Sequence, residues 1–225
     1  MRTSMVIAAL AAASFAFGQS LASYSTFNGP IGQFNVSLGG AGTESYGPII
    51  SYSNLVNALG YYFPGRDCGD DLLMTGPGTV NGFAFGYYDP EGGTALTSVD
   101  VWFNNLYDGS YITGYTISGL PGDGAWIVSV DLTGFEFYSP DWILMSVGFY
   151  SSNSPEAGWL IYDPPTIGSS QDMFYIWAPE TPGWYWFGGP PVVANFCAEI
   201  AMIPEPGTIA ALATGLGLLA LRRRK

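Results

Sequence analysis

Apolar and polar residues alternate along the middle and later parts of the chain. Successive side chains of a β-strand point to opposite faces, so an alternating run predicts a strand with one buried face. The apolar positions of the clearest runs are Phe83, Phe85 and Tyr87; Val99, Val101 and Phe103; Trp126, Val128, Val130 and Leu132; and Ile143, Met145, Val147 and Phe149. Further strands are predicted at 159–162, 173–177 and 196–202, and a weaker one at 34–38.

Turn signals rich in Gly, Pro and Asp separate these runs. They lie at residues 89–93, 108–109, 121–124 and 163–165. No amphipathic helical pattern occurs between residues 23 and 203. Short strands joined by such turns predict an all-β fold, and we expect an antiparallel β-sandwich with a jelly-roll-like arrangement.

The N-terminus has the pattern of a secretory signal. Arg2 supplies a positive charge, and an apolar stretch follows at residues 5–17. This stretch is shorter than the about 20 residues that a membrane span needs. Small residues suited to cleavage come next, so we expect a helical signal peptide at 1–18 and an acidic folded domain at 19–203. The alternative is a buried N-terminal helix of that domain.

The C-terminus combines three features in a fixed order. Pro204-Glu205-Pro206 is followed by an apolar stretch at 209–221, and the chain ends in Arg222, Arg223, Arg224 and Lys225. The stretch is compatible with a helix, but at about 1.5 Å per residue it falls short of a hydrocarbon core about 30 Å thick. Cations at its end would stay on the cytoplasmic side of a membrane.

This tail resembles the PEP-CTERM sorting signal of Gram-negative bacteria, in which a Pro-Glu-Pro motif precedes a short transmembrane helix and a basic tail. The resemblance covers residues 204–225. It implies that the partner is an exosortase, a membrane-embedded protease or transpeptidase that recognises Pro204, Glu205 and Pro206. The chain would be inserted in the membrane by its C-terminus and then reach the cell surface or an extracellular polysaccharide matrix. The alternative is a permanent anchor that is never cut.

The charge distribution narrows the range of partners. The chain has 18 acidic and 6 basic residues, and Arg66 is the only cation between the two predicted signals. Phosphate binding needs a cationic surface, so nucleic acid is excluded as a partner and anionic lipid is disfavoured. Divalent cations, neutral glycans or simple solubility remain as explanations of the acidic composition.

The residue types limit the available chemistry. The chain has no histidine, which removes Ser–His–Asp and Cys–His catalysis and histidine-ligated metal sites. Paired carboxylates of the glycosidase kind remain as an alternative, but no catalytic motif marks such a pair. We therefore do not expect an enzyme.

Two further groups of residues suggest cross-links that would stabilise the fold. Cys68 and Cys197 are the only cysteines, and in an exported protein we expect them to form a disulfide rather than remain unpaired thiols.

Asp67, Asp70 and Asp71 lie beside Cys68 and could hold calcium through hard oxygen ligands. The alternative for this group is a solvated acidic turn, and no other cofactor is expected.

The densest aromatic patch contains Trp177, Trp184 and Trp186. Glycine and proline flank it, so the sequence favours a loop-borne cluster whose exposed rings could stack on sugars. Such rings could instead form the core and edges of a sandwich.

We expect a structural or adhesive protein of the envelope or extracellular matrix. The alternatives are a carbohydrate-binding module and, more distantly, a carboxylate-based glycosidase.

Overall fold

The computed structural model describes residues 20–21, 25–26, 29–38, 49–63, 67–90, 98–150, 157–177, 182–187 and 194–203. Within these ranges the chain is all-β, with no helix, as the alternating pattern predicts. Both predicted terminal signals, 1–18 and 204–225, lie outside the described residues, as does Arg66. No helix in the described part of the chain has the length and hydrophobicity needed to cross a membrane.

Sixteen strands make up the described structure. They are β1 (Ser20–Leu21), β2 (Ser25–Thr26), β3 (Ile31–Ser37), β4 (Ile49–Asn54), β5 (Ala58–Tyr62), β6 (Cys68–Leu73), β7 (Gly78–Asp89), β8 (Ser98–Asn105), β9 (Tyr111–Ser118), β10 (Gly124–Asp131), β11 (Phe137–Ser139), β12 (Trp142–Tyr150), β13 (Gly158–Tyr162), β14 (Phe174–Ile176), β15 (Gly183–Trp186) and β16 (Ala198–Ile203). The predicted turns at 108–109 and 121–124 join β8 to β9 and β9 to β10.

The strands form two sheets. The first sheet has the order β1-β15-β14-β6-β12-β8-β9. The second has the order β2-β5-β13-β7-β10-β3, and β11 and β16 also pair with β7 while β4 pairs with β16. Strand β7, with 12 residues, is the longest and serves as the centre of the second sheet.

The sheets are mixed, which corrects the expectation of a wholly antiparallel fold. Strand β3 runs parallel to β10 over seven residue pairs, from Ile31 opposite Ala125 to Ser37 opposite Asp131. Strands β1 and β15 are also parallel. Parallel neighbours need a long crossover connection, and the segment between β3 and β10, which contains β4–β9, provides one.

A shared hydrophobic core lies between the two sheets, and the predicted apolar faces build it. Val99, Val101, Phe103, Ile143, Met145 and Val147 come from the first sheet, and Phe83, Phe85, Tyr87, Val128 and Val130 from the second. The Phe83 and Phe103 rings meet edge to face across the sheets, with centroids 5.4 Å apart. Burying each such side chain contributes about 1.5–3 kcal/mol to stability.

The predicted disulfide between Cys68 and Cys197 is not formed, because both cysteines are free buried thiols. Cys68 faces the shared core on β6. Cys197 instead belongs to a small cluster on the outer face of the second sheet, where it packs over Gly86. Cys197 thus lies away from the main core, and this placement puts the second sheet between the two sulfur atoms.

Candidate functional site

The outer face of the first sheet carries aromatic and polar side chains that point away from the core. The strand register aligns these residues in rows, each residue directly opposite the next. One row, here called the aromatic row, consists of Trp184, Tyr175, Gly69, Ser146, Trp102 and Gly114. It crosses six neighbouring strands, β15-β14-β6-β12-β8-β9.

Polar residues flank the aromatic row on both sides. On one side, Asp100 on β8 lies between Gly148 on β12 and Thr116 on β9. On the same side, the backbone N–H of Trp177 donates a hydrogen bond to the Asp67 carbonyl oxygen at 3.0 Å. On the other side, Asn104 on β8 pairs with Tyr111 on β9. The row therefore has carboxylate and hydroxyl groups along one side and an amide and a phenol along the other.

Four rings form a continuous line of contacts on this face. Ring centroids are 6.3 Å apart for Trp102 and Trp177, 4.8 Å for Trp177 and Tyr175, and 5.5 Å for Tyr175 and Trp184. Neighbouring rings are tilted or edge-on, the favoured geometry of aromatic pairs. The indole N–H of Trp177 donates to Ser146 Oγ at 3.0 Å, which fixes the ring over the middle of the sheet.

Glycines make room for these rings. A Cβ at Gly148 would collide with the Asp67 carboxylate and lie 3.3 Å from the Trp102 ring. A Cβ at Gly114 would lie 3.0 Å from Trp102 Cβ. Both positions therefore require glycine for Trp102 and Asp67 to keep their places on the sheet.

A cleft of about 480 Å³ opens between the rings, here called the tryptophan cleft. Its lining includes Trp102, Trp177, Tyr111, Asp67, Asp100 and Asn104. Asp100 accepts a hydrogen bond from Thr116 Oγ1 at 2.5 Å. The buried Oδ1 of Asn104 has no hydrogen-bond donor within the described part of the chain. Aromatic faces beside oxygen acceptors suit a ligand that has both apolar C–H surface and hydroxyl donors.

The predicted aromatic patch lies on this outer face, with two of its three tryptophans on a strand rather than in a loop. Trp177 follows β14 and lines the cleft, and Trp184 and Trp186 lie two residues apart on β15. All three side chains are half-buried, so their rings retain exposed surface. The predicted patch did not include Trp102 or Tyr111. The sequence contains a signal for Trp102, because this residue alternates with the core residues Val101 and Phe103 along one strand. Its side chain therefore points to the outer face.

The three aspartates predicted to hold calcium do not converge. Asp67 lines the tryptophan cleft, whereas Asp70 and Asp71 are buried under the segment 166–172. Asp70 and Asp71 both reach Ser170, whereas Asp67 precedes β6 and lies at the cleft instead. The described residues contain no group of three or more acidic or cysteine side chains placed to hold a metal ion.

Hydrogen bonds hold Asp70 and Asp71 in place. Ser170 Oγ lies 3.0 Å from Asp70 Oδ1 and 3.3 Å from Asp71 Oδ1. The backbone N–H of Phe196 donates to Asp70 at 2.9 Å, and that of Gln171 donates to Asp71 at 3.0 Å. Burial raises the pKa of Asp70 well above its usual range and that of Asp71 to about 6. This pair is enclosed, so it serves the fold rather than an open site.

A second hollow, of about 690 Å³, lies on the outer face of the second sheet. Asn35, Ser129, Asp131 and Glu199 contribute polar groups to it, above small residues such as Gly82. No tryptophan or tyrosine is among the described residues that line it. It therefore lacks the flat apolar surface that distinguishes the tryptophan cleft.

The predicted sorting residues, Pro204, Glu205 and Pro206, lie outside the described residues, and so does the basic tail from Arg222 to Lys225. Their interpretation depends on the sequence alone.

Comparisons with known proteins give little guidance. No family model and no curated protein matches the chain. A structure of infectious bursal disease virus Gt strain matches at a TM-score of 0.27 and 14% sequence identity, over 80% of this chain and 49% of that chain. The chain thus spans about half the length of that viral protein. A likeness at this score carries no argument about fold or function.

Proposed function

We propose that this chain is an exported protein of the cell envelope or extracellular matrix, and that its folded domain adheres to polysaccharide through the tryptophan cleft. The observation that carries the proposal is the line of ring contacts from Trp102 through Trp177 and Tyr175 to Trp184, in which the three tryptophans keep exposed surface and the buried Tyr175 joins Trp177 to Trp184. Binding to a matrix polysaccharide would be the physical basis of the adhesive role, so the structural and carbohydrate-binding functions become one.

The chemistry of the cleft supports a sugar ligand. Sugar rings present C–H faces that pack on aromatic rings, and their hydroxyl groups donate hydrogen bonds. Asp67, Asp100 and Asn104 place oxygen acceptors beside Trp102 and Trp177. The apolar C–H surface that a sugar buries on these rings contributes about 25 cal/mol per Å². Several weak contacts along one face suit adhesion to a repetitive polymer.

The proposed architecture is a jelly-roll-like sandwich. Two sheets that share one core support it, as do the hairpin β8–β9, the connection from β9 in the first sheet to β10 in the second, and the long crossover that places β3 beside β10. The outer faces of a sandwich are free for binding. The tryptophan cleft occupies one such face.

Export and sorting complete the proposal. The support is the tripartite tail at 204–225 behind an N-terminal signal pattern at 1–18. Exosortase would recognise Pro204-Glu205-Pro206, and the folded domain would remain outside the membrane. The acidic composition is compatible with a neutral glycan partner.

Replacement of Trp177 by alanine tests the binding site. We expect the full-length chain to bind at least one neutral polysaccharide on a glycan array, and Trp177→Ala to weaken that binding about tenfold or more, because a hot-spot contact is worth about 1.4 kcal/mol or more. Tyr138→Ala is the matched control, since Tyr138 is exposed on β11 of the other sheet.

Two outcomes would contradict the proposal. One is absence of saturable binding to every polysaccharide on the array. The other is equal loss of binding in Trp177→Ala and Tyr138→Ala, which would place the ligand elsewhere. The proposed function is binding without turnover, so incubation with the bound polysaccharide should release no reducing sugar.

A further inference from the structure

We infer that the tryptophan cleft and the exposed surface of Trp177 and Trp184 form one groove across the first sheet, which accommodates the interior of an extended, uncharged polysaccharide chain over several sugar units. Tyr175, Gly69 and Ser146, in the middle of the aromatic row, are buried, so the ligand contacts the tryptophans rather than these residues. This inference rests on the function proposed above and specifies its ligand. It distinguishes a polymer lying across the strands from a single sugar or chain end held in the cleft.

The length of the row sets the number of sugars. Trp184, at one end, and Gly114, at the other, are five strand steps apart. Neighbouring strands are about 4.8 Å apart, so the row extends about 24 Å. One hexose unit of an extended chain is close to one strand step in length. The row therefore matches a segment of about four to five units.

The two ends of the groove, at β9 and at β15, favour binding of the interior of a polysaccharide that continues beyond the sheet in both directions. No strand lies beyond β9 in the described part of the first sheet, and the row reaches that edge at Gly114, where the Tyr111 hydroxyl lies 2.9 Å from the position that a Cβ would take. Tyr111 lies beside this edge and is 62% exposed, so its ring is available to a sugar that continues past Trp102. Trp184 and Trp186 lie at the opposite end on β15.

The flanks of the groove select the charge of the ligand. Asp67 and Asp100 lie on one side and Asn104 on the other, and Arg66, outside the described residues, is the only cation between the terminal signals. Sugar hydroxyls can donate to these oxygen atoms. A uronic-acid or sulfated chain would bring its negative charges close to two carboxylates, and like-charge contacts oppose binding.

The test is calorimetric titration of the full-length chain with gluco-, manno- and N-acetylglucosamine oligosaccharides of two, four and six units. For the series that binds, we expect affinity to rise at least tenfold from the disaccharide to the hexasaccharide. Trp184→Ala should weaken hexasaccharide binding about five- to tenfold, because it removes one terminal stacking contact, and should leave disaccharide binding unchanged. Trp102→Ala should weaken binding at every length.

Controls separate this inference from the proposed function. Trp184→Phe keeps a ring at the same place and should retain most hexasaccharide affinity, while Tyr138→Ala should change nothing. Equal affinity for all lengths, or Trp184→Ala without effect on the hexasaccharide, overturns the extended groove and leaves the proposed function standing. No binding in any series overturns both. Tighter binding of hexagalacturonate than of the neutral hexamers overturns the assignment of an uncharged ligand.

Discussion

At the scale of single residues, the adjacent carboxylates Asp70 and Asp71 are buried where the segment 166–172 covers β6. The donors around them compensate only part of the cost of burying charge, because desolvation is the largest influence on both groups. The folded state therefore holds protons at this pair that the unfolded chain releases. The pH dependence of stability is the direct consequence.

Stability should decrease as pH rises through the interval between about 4 and 6. The pKa of Asp71 is raised to about 6 in the folded state from 3.8, so the folded protein binds more protons within that interval and the free energy of unfolding falls with increasing pH. A shift of this size corresponds to about 2–3 kcal/mol. Urea denaturation between pH 4.5 and 7.5 measures it.

Asp71→Asn should reduce the slope of this dependence, because the amide does not titrate, while Asp70, whose pKa is also raised, continues to contribute. The control is Asp123→Asn, at an exposed turn position with φ of 56° that asparagine also adopts. A pH profile unchanged in Asp71→Asn, or equally flattened in Asp123→Asn, would contradict the assignment to the buried pair.

At the scale of elements, the segment 166–172 connects the two sheets. It pairs with β4 of the second sheet through Ser53 and Ile167, and with β6 of the first sheet through Leu73 and Ser169. Gly168 lies between these two bridges with φ of +74°. The segment thus joins one strand of each sheet through backbone hydrogen bonds.

Gly168→Ala should destabilise the protein by about 1–3 kcal/mol. The substitution adds the cost of a left-handed conformation and places Cβ about 2.5 Å from the Leu73 carbonyl oxygen. Gly119→Ala is the matched control, because its φ is +72° but its added Cβ meets nothing within 4 Å. Chemical denaturation should show the larger loss for Gly168→Ala; equal losses would mean that crowding at Leu73 contributes nothing.

Sequence patterning predicted the strands that alternate cleanly, and it failed where charge or glycine interrupts the pattern. Strands β7, β8, β10 and β12 follow their predicted runs. Strand β6 was missed because Asp70 and Asp71 are residues that strands disfavour, and tertiary hydrogen bonds compensate for them. Strand β9 was missed as well.

The candidate site depends on register, which periodicity does not provide. Trp177 belonged to the predicted patch, and Trp102 was expected to face away from Val101 and Phe103. Their meeting at 6.3 Å depends on β6 and β12 lying between β14 and β8. That order follows from long-range pairing, which local sequence does not encode.

At the scale of the whole molecule, packing rather than covalent bonds holds the described sheets together, since both cysteines are free. Burial, together with carboxylates near each group, raises the pKa of the Cys68 and Cys197 thiols, so both stay protonated at neutral pH. Stability should then be independent of the redox state of the buffer.

Addition of dithiothreitol should leave Tm unchanged, and thiol titration in denaturant should find two reactive thiols per chain. Before denaturation both thiols should react slowly because they are buried. The wild-type protein purified under oxidising conditions is the sample to use. A lowered Tm in reductant, or no thiols in denaturant, would show that a disulfide forms.

Intact mass tests the proposed sorting. Protein recovered from its native host should lack residues 1–18 and end near Pro206, with any added group visible as extra mass. Replacement of Pro204, Glu205 and Pro206 by alanine should leave the C-terminus uncut. A native mass that extends through Lys225 would contradict processing and favour a permanent anchor.

Strand β16 occupies a position with a consequence for biosynthesis. It pairs with both β7 and β4 and ends at Ile203, directly before the predicted sorting motif. A nascent chain emerges N-terminus first, so β4 and one side of β7 lack their neighbour until residues 198–203 have been synthesised. Among the described strands, the second sheet is thus completed last. If the chain is exported as proposed, a polypeptide that still lacks β16 has an incomplete sheet and can pass unfolded through a translocation channel.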